Sequence, residues 1–138
     1  MDFRLELVVV PVSDVDRTKA FYEQLGWSVD HDHRVADESS SKWTHDASSE
    51  APPEVRFVQV TPPGSACSIA FGVGLTEATP GVVDGLQVVV DDVDAAKAEL
   101  EARGVEVRGV EDFPWGRFAW FTDPDGNGWA VQELPNYG

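Results

Sequence analysis

The sequence predicts an α+β fold built from two tandem βαβββ modules. Three observations support this prediction: an ungapped internal repeat, apolar β-branched runs of strand length, and a capped helix after the first run of each copy. A chain of 138 residues is long enough to bury one core. We expect a single domain, with module one at about 1–72, a linker at about 73–84 and module two at about 85–138.

The repeat becomes visible when the chain is shifted on itself by 78 residues. Leu7–Gly26 then lies opposite Gly85–Gly104 without a gap, and nine of the twenty pairs are identical. The identical pairs are Val10/Val88, Val12/Val90, Asp14/Asp92, Val15/Val93, Asp16/Asp94, Lys19/Lys97, Ala20/Ala98, Glu23/Glu101 and Gly26/Gly104. Because repeated sequence units usually fold as repeated structural units, both copies are expected to have the same element order.

Each copy begins with a strand followed by a helix. The first runs are apolar and rich in β-branched residues, as buried strands are. Asp14 and Asp92 then supply side-chain oxygens for the first free amides of a helix, and Gly26 and Gly104 are stop signals. The predicted elements are strands at Leu7–Val12 and Leu86–Val90 and helices at about 15–25 and 93–103.

Three more strands are expected after each helix. The second strands begin near Trp27 and Val105, and the third strands each enter a Pro/Gly turn. The similar third-strand segments are Arg56–Gly64 and Arg117–Gly126, and the returning strands are Ala66–Phe71 and Trp129–Leu134. The copies differ mainly by an insertion at 36–54 that is rich in Ser, Asp, Glu and Pro, and this insertion is predicted to be a mobile loop.

Charge and composition exclude several classes of partner. Twenty-five acids against ten bases give a net charge of −15, which repels nucleic-acid backbones and anionic membranes and would suit a cationic ligand. The longest apolar run, Leu7–Val12, is too short to span a membrane, and Met1–Glu6 lacks the features of a secretory leader. We therefore expect a cytoplasmic protein. Cys67 is the only cysteine, which excludes an internal disulfide.

Two segments together with the repeat carry a family resemblance. Pro11–Tyr22 near the start and Phe121–Asn127 near the end resemble the vicinal oxygen chelate superfamily, the group of glyoxalases, bleomycin-resistance proteins and extradiol dioxygenases. The resemblance covers nearly the whole chain. It implies two βαβββ modules that form one pseudo-symmetric, cupped mixed sheet with helices on its outer face. It also implies a homodimer, and a cup that holds either a metal or an organic ligand.

The resemblance allows the superfamily's metal positions to be tested residue by residue. Enzymes of the group usually place His, Gln or Glu on the first strand and on the last strand of each module. The matching positions here are Leu7, Gly85 or Gln87, Ser68 and Ala130, of which only Gln87 is a credible ligand. A divalent cation normally takes three or more protein donors. We therefore expect no metal cofactor and no catalytic residues; the alternative is a lyase, isomerase or dioxygenase with one divalent metal.

Other residues with chemical potential receive structural interpretations. His31 and His33 would share one strand face, and we interpret them as surface histidines beside the insertion. Cys67 is expected to pack as a small apolar residue, and Ser68 has no positioned His and Asp to activate it. The sequence therefore gives no support to nucleophilic catalysis.

The cup is expected to have an apolar and aromatic lining with uncharged polar groups. Alternation puts Val58 and Val60 under the helix, so Phe57 and Gln59 face the cup, and the third strand of module two follows the same rule. The candidate ligand-binding residues are Leu7, Phe57, Gln59, Ser68, Gln87, Trp115, Phe118, Trp120, Ala130 and Gln132. Such a lining orients a ligand without a strong acid, base or Lewis acid. The predicted function is metal-independent binding of a small, partly aromatic molecule, such as an antibiotic or toxin that is sequestered. A collapsed cup that serves only as an interaction module is a further alternative.

Overall fold

The computed structural model describes residues 1–36 and 54–135, which form eight strands and two helices. The predicted α+β class with two repeated βαβββ modules is confirmed. Most of the 36–54 insertion lies outside the described residues. The elements are β1 Leu7–Val9, α1 Val15–Gln24, β2 Ser28–Ala36, β3 Glu54–Thr61, β4 Ser68–Val73, β5 Asp84–Val90, α2 Val93–Ala102, β6 Arg108–Phe113, β7 Gly116–Thr122 and β8 Gly128–Glu133.

Several element boundaries differ from the predicted ones, among them those of β1, β6 and β4. β1 ends at Val9, shortly before Pro11, which has no N–H to continue a ladder. β6 begins at Arg108, because Val105 belongs to the connection and is buried in the core. β4 begins one residue after Cys67, which is half-buried just before the strand.

The strands form two separate four-stranded sheets rather than one continuous sheet. Their orders are β1-β4-β3-β2 and β5-β8-β7-β6. In each sheet the first strand of the module pairs in parallel with the last, and the other pairs are antiparallel. Leu7 lies opposite Ser68, and Gln87 lies opposite Ala130. The positions compared with the superfamily's metal ligands are therefore neighbours across the paired strands.

One face of each sheet is buried in a core that both modules share. Val58 and Val60 are completely buried, and Phe121 is 2% exposed. Tyr22 of α1 lies at the centre of this core, where the Trp129 indole N–H donates to its hydroxyl at 2.9 Å. Burial raises the pKa of Tyr22 well above its ordinary value of 10.0. The helix of module one is thus packed directly against the sheet of module two.

The helix ends agree with the predicted signals. Asp14 and Asp92 have extended backbones, and each carboxylate accepts from the backbone N–H three residues further on, at 3.1 and 3.0 Å. Gly26 and Gly104 follow the helices with φ of +83° and +87°, a region that residues with a Cβ rarely adopt. Neither described helix exceeds ten residues, and none could cross a membrane.

A buried arginine organises the charges of module one. Arg56 on β3 contacts Asp16 of α1 at 2.8 Å and Asp32 of β2 at 2.9 Å, and Lys19 contacts Asp32 at 2.9 Å. The Arg56 side chain is only 8% exposed. Hydrogen bonds from Arg56, and secondarily from Lys19, hold the pKa of Asp32 well below its usual value.

Module two repeats this network at its surface. Arg117, which matches Arg56 in the repeat, contacts Asp94 and Asp112 at 2.8 Å each. Its side chain is 39% exposed. The chain therefore contains two copies of one ion network at different depths.

These two copies allow a matched test of buried against exposed ion pairs. We expect Arg56→Met to lower the free energy of unfolding by about 2 kcal/mol, because it leaves Asp32 without its main partner. Arg117→Met should cost less than about 1 kcal/mol, as exposed pairs usually do. Urea denaturation at pH 7 would measure both. An equal loss of unfolding free energy in the two variants would contradict the expectation that the buried ion network stabilises the fold more than the exposed one.

The Arg56 effect should also depend on pH. Because folding lowers the pKa of Asp32, its ion pairs stabilise the protein above the ordinary value of 3.8. This stabilisation is lost as the pH falls below 3.8 toward the lowered pKa. The difference between wild type and Arg56→Met should therefore shrink between pH 5 and pH 2.5. A constant difference over that range would show that Arg56 stabilises the fold through packing alone.

Candidate functional site

Each sheet has a second face that neither of the two described helices covers. We call these the module-one inner face and the module-two inner face. The strand registers place Leu7, Phe57, Gln59 and Ser68 on the first, and Gln87, Phe118, Trp120, Ala130 and Gln132 on the second. Trp115 lies in the turn between β6 and β7. The inward direction predicted for these strands follows from the burial of Val58, Val60, Ala119 and Phe121 on the opposite face.

Four aromatic side chains lie together at one end of the module-two inner face, and we call them the aromatic group. Phe113 stacks on Trp115, with ring centroids 5.3 Å apart, and meets the edge of Phe118 at 5.7 Å. Phe118 and Trp120 are nearly parallel at 6.1 Å. Phe118 is buried, whereas Trp115 is 60% exposed. The group therefore presents flat apolar surface to solvent on a buried base.

Phe113 was not among the predicted site residues. It joins the group because β6 pairs with β7 and sets Phe113 opposite Gly116, where no side chain intervenes. In the sequence, Phe113 was visible only as an aromatic residue two positions before Trp115. The sequence did not predict the geometry of the turn between them. The pairing of β6 with β7 decides its place.

Two glutamines connect the first and last strands of module two to the aromatic group. The Gln87 amide N–H donates to the side-chain oxygen of Gln132, and the Gln132 amide donates to the backbone carbonyl of Trp115 at 2.9 Å. Gln132 is buried and Gln87 is exposed. Among the described residues, no other hydrogen bond involves the Gln87 side chain, so its carbonyl oxygen and second N–H keep unused hydrogen-bonding capacity. They can orient a polar group of a ligand beside the aromatic rings.

A depression of about 300 Å³ adjoins Trp120 on the same face. It is lined by Asp84, Arg108, Gly109, Glu111 and Trp120. The guanidinium carbon of Arg108 lies 5.9 Å from the centroid of a Trp120 ring, within the range of a cation–π contact. The volume is at the lower end of the range for small-molecule pockets. Trp120 therefore belongs to the aromatic group and also lines a charged recess.

The module-one inner face is polar. Gln59 donates to the Ser68 hydroxyl at 3.3 Å, and the hydroxyls of Ser68 and Thr61 are 2.6 Å apart. Thr61 in turn donates to Asp30. This hydrogen bond, followed by one from Ser28, lowers the pKa of Asp30 below its ordinary value of 3.8. The residues of this face contact one another rather than the aromatic group, so the predicted site residues fall into two clusters.

Two further depressions lie near the junction of the modules. One, of about 280 Å³, is bordered by Ser68 and Gln87 and therefore connects the edges of the two inner faces, with Cys67 in its wall. The other, of about 210 Å³, lies on the helix side, where Leu100 is part of its lining and Glu99 is the charged residue. Apart from Glu99 and Trp27, the side chains that line this second depression are apolar.

His31 and His33 occupy a place that the sequence did not indicate. The register of β2 against β3 shifts between Val29 and His31, which marks a β-bulge. After the shift His31 lies opposite Gln59 and His33 opposite Phe57. Both histidines are exposed, as expected, but they belong to the module-one inner face.

The superfamily's metal does not fit the positions compared with its ligands. Leu7 is paired with Ser68, and Ala130 is paired with Gln87. The side chains of Leu7 and Ala130 have no donor atom, so each pair contains only one polar side chain. The Gln87 amide is hydrogen-bonded to Gln132. Among residues 1–36 and 54–135, no three His, Cys, Asp or Glu side chains lie close enough together to hold an ion. The residues at these positions therefore lack the donors that a catalytic metal requires.

Comparison with solved structures finds close matches over the whole chain. TnmS3, an antibiotic binding protein from Streptomyces sp. CB03234, is 34% identical with a TM-score of 0.76, covering 97% of this chain and 98% of that one. A glyoxalase/bleomycin resistance protein from the same organism is 35% identical with a TM-score of 0.71, covering 94% and 99%. A superfamily member from Sphaerobacter thermophilus DSM 20745 is 31% identical with a TM-score of 0.68, covering 96% and 98%.

A comparison with curated proteins returned no match. The model of one protein family matches residues 4–131, which is nearly the full length of the chain. This match agrees with the repeated βαβββ modules and with the resemblance carried by Pro11–Tyr22 and Phe121–Asn127. The chain belongs to the Glyoxalase/Bleomycin resistance protein/Dioxygenase superfamily.

Proposed function

We propose that the protein is a resistance-type binding protein that sequesters a small, planar, partly aromatic antibiotic or toxic metabolite. The observation that carries this proposal is the aromatic group on the module-two inner face, which lies beside a glutamine pair with unused hydrogen-bonding capacity. The similarity to an antibiotic binding protein supports the same class of function.

The physical basis is stacking combined with limited polar orientation. Exposed aromatic faces bind conjugated rings with little loss of side-chain entropy, since Trp and Phe have few rotatable bonds. Gln87 can donate to or accept from a carbonyl, hydroxyl or amide on the ligand. The recess beside Trp120 contains both Arg108 and Glu111, so it can accommodate a substituent of positive or negative charge. These groups hold a molecule without transforming it.

The proposal includes binding that is independent of a metal cofactor. Leu7, Ser68, Gln87 and Ala130 do not form a donor set, and the aromatic group requires no metal to bind a planar ring. Titration calorimetry of untagged protein with bleomycin and with daunorubicin, before and after treatment with EDTA, tests this directly. We expect saturable binding of one of them, unchanged by EDTA, with the ligand recovered intact by mass spectrometry.

Two outcomes would contradict the proposal. Absence of saturable binding to both bleomycin and daunorubicin would contradict the proposed sequestration function. Chemical conversion of the ligand on addition of nickel, zinc, manganese or iron would favour the metal-dependent enzyme. Loss of this conversion on replacing Gln87 would support the same conclusion.

We also propose that two copies of the chain associate through their inner faces. Apolar side chains project from the module-two inner face without cover from the described residues, including Val89 at 57% exposed, Phe113 at 38% and Trp115 at 60%. Surfaces of this kind usually mark association sites. Association would deepen the shallow depressions, because the second copy adds a wall.

Substitution of Val89 tests the association. Val89→Asp places a carboxylate in the proposed interface and should raise the dimer dissociation constant at least tenfold, because a buried unpaired charge is costly. Val82→Asp is the matched control, since Val82 is 58% exposed but lies in the connection before β5. Sedimentation velocity over a range of concentrations would measure both. A wild-type monomer at all concentrations, or equal weakening by both variants, would exclude this interface.

A further inference from the structure

The two histidines of β2 form a pair that the proposed function does not use. His31 and His33 are two residues apart on one strand, so their side chains leave the same face. Their rings stack at 28°, with centroids 5.4 Å apart, and both side chains are exposed. Within the described parts of the chain, no hydrogen bond occupies a ring nitrogen of either residue. Four nitrogens are therefore available to an external partner.

The spacing of the rings suits a shared metal ion. Metal–imidazole bonds of about 2.0–2.1 Å put an ion about 3.2 Å from each ring centroid. Two rings that meet at one ion then have centroids about 4.5 Å apart in the square-planar geometry that Cu²⁺ prefers and about 5.2 Å apart in a tetrahedral geometry. The observed centroid distance of 5.4 Å is near these values, and the stacked rings would have to rotate to turn one nitrogen of each toward a shared ion.

The electrostatic surroundings favour a cation. Asp30 precedes His31, and its carboxylate accepts hydrogen bonds from the Thr61 and Ser28 hydroxyls. The whole chain carries a net charge of −15. Imidazole nitrogens prefer zinc, nickel and copper to magnesium or calcium, which take oxygen donors.

We propose that His31 and His33 form a two-imidazole site for one late first-row transition-metal ion on the module-one inner face. The site lies on β2, apart from the first-strand and last-strand positions compared with the superfamily's metal ligands. Its remaining coordination positions are open to water or to oxygen atoms of a molecule bound beside Gln59, which is the cross-strand neighbour of His31. Sequestration on the module-two inner face does not depend on it.

The test is metal binding by untagged, dialysed protein, followed by calorimetry with CuCl2, NiCl2, ZnCl2 and MgCl2. We expect one copper ion per chain with a micromolar dissociation constant, weaker binding of nickel and zinc, and no binding of magnesium. The copper electron paramagnetic resonance spectrum should show nitrogen coupling. His31→Ala and His33→Ala should each weaken copper binding at least tenfold, with unchanged circular dichroism.

His45→Ala is the matched control, because His45 is the third histidine of the chain and the proposed site does not include it. Unchanged affinity in this variant supports the pair. His31→Asn and His33→Asn repeat the test with polar side chains of smaller volume. No saturable copper binding, equal loss in His45→Ala, or loss in only one of the two pair variants would overturn the proposal.

Discussion

Replacing Asn127 with alanine should lower the free energy of unfolding by about 3 kcal/mol, because several buried polar groups lose their partners at once. Asn127 is completely buried in the turn between β7 and β8. Its side-chain N–H groups donate to the Pro11 carbonyl at 2.9 Å and to Asp123 at 2.8 Å, and its oxygen accepts from the Val83 N–H at 3.1 Å. Alanine would leave the Pro11 carbonyl and the Val83 N–H without a side-chain partner and would remove one of the three hydrogen bonds to the Asp123 carboxylate.

The position of Asn127 explains why the effect should reach the whole fold. Pro11 lies between β1 and α1 of module one, whereas Val83 immediately precedes β5 of module two. Asp125 of the same turn accepts from the Ser13 backbone N–H at 3.0 Å and hydroxyl at 2.5 Å. The turn therefore joins module two to the start of the first helix of module one. Loss of Asn127 should reduce the cooperativity of unfolding as well as the stability.

Two variants complete this experiment. Pro124→Ala changes an exposed residue in the same turn and should cost less than about 1 kcal/mol. Asn127→Asp keeps the shape but replaces a donor with an oxygen that faces Asp123, whose pKa is already raised by burial. We expect Asn127→Asp to be at least as destabilising as Asn127→Ala at pH 7. If the urea midpoints of Asn127→Ala, Asn127→Asp and Pro124→Ala agree within error, the turn does not join the modules.

Replacing Trp120 with alanine should weaken binding of the planar ligand by about 50-fold, as expected when a central aromatic contact is removed. Trp120 stacks near Phe118, carries Arg108 over its ring and borders the depression of about 300 Å³. It is only half-buried and lies outside the shared core, so its loss should affect folding less than binding. Calorimetric titration with the antibiotic that binds the wild type, together with urea denaturation, would separate the two effects.

Trp120→Phe is the conservative partner of this variant. Phenylalanine keeps an aromatic face at the same position and should retain most of the affinity, within about fivefold of wild type. Equal affinity in wild type and Trp120→Ala would exclude the module-two inner face as the binding surface. Equal losses in the Phe and Ala variants would show that a phenyl face cannot replace the indole, which would contradict binding by simple ring stacking.

Local signals in the sequence accounted for the repeated architecture and for the direction of most strands. Alternation around Val58 and Phe121 predicted which side chains enter the core, because neighbouring residues of a strand must point to opposite faces. The helix N-caps at Asp14 and Asp92 could also be predicted from the sequence, since a capping side chain accepts a hydrogen bond from the first turn of the helix that it precedes. Similarity over nearly the whole chain supplied the superfamily.

Pairing between distant strands decided the rest. The β-bulge that turns His31 and His33 toward Gln59 depends on the register of β2 against β3, and Phe113 reaches the aromatic group only because β6 pairs with β7. Asn127 was visible as part of a turn motif, but its bond to Pro11 spans 116 positions of sequence. The sequence by itself thus determined the elements, their order and the buried faces, because those follow from contacts within a few residues. Only the tertiary structure decided the two separate sheets, the histidine pair and the joint between modules, because each depends on contacts between segments far apart in the chain.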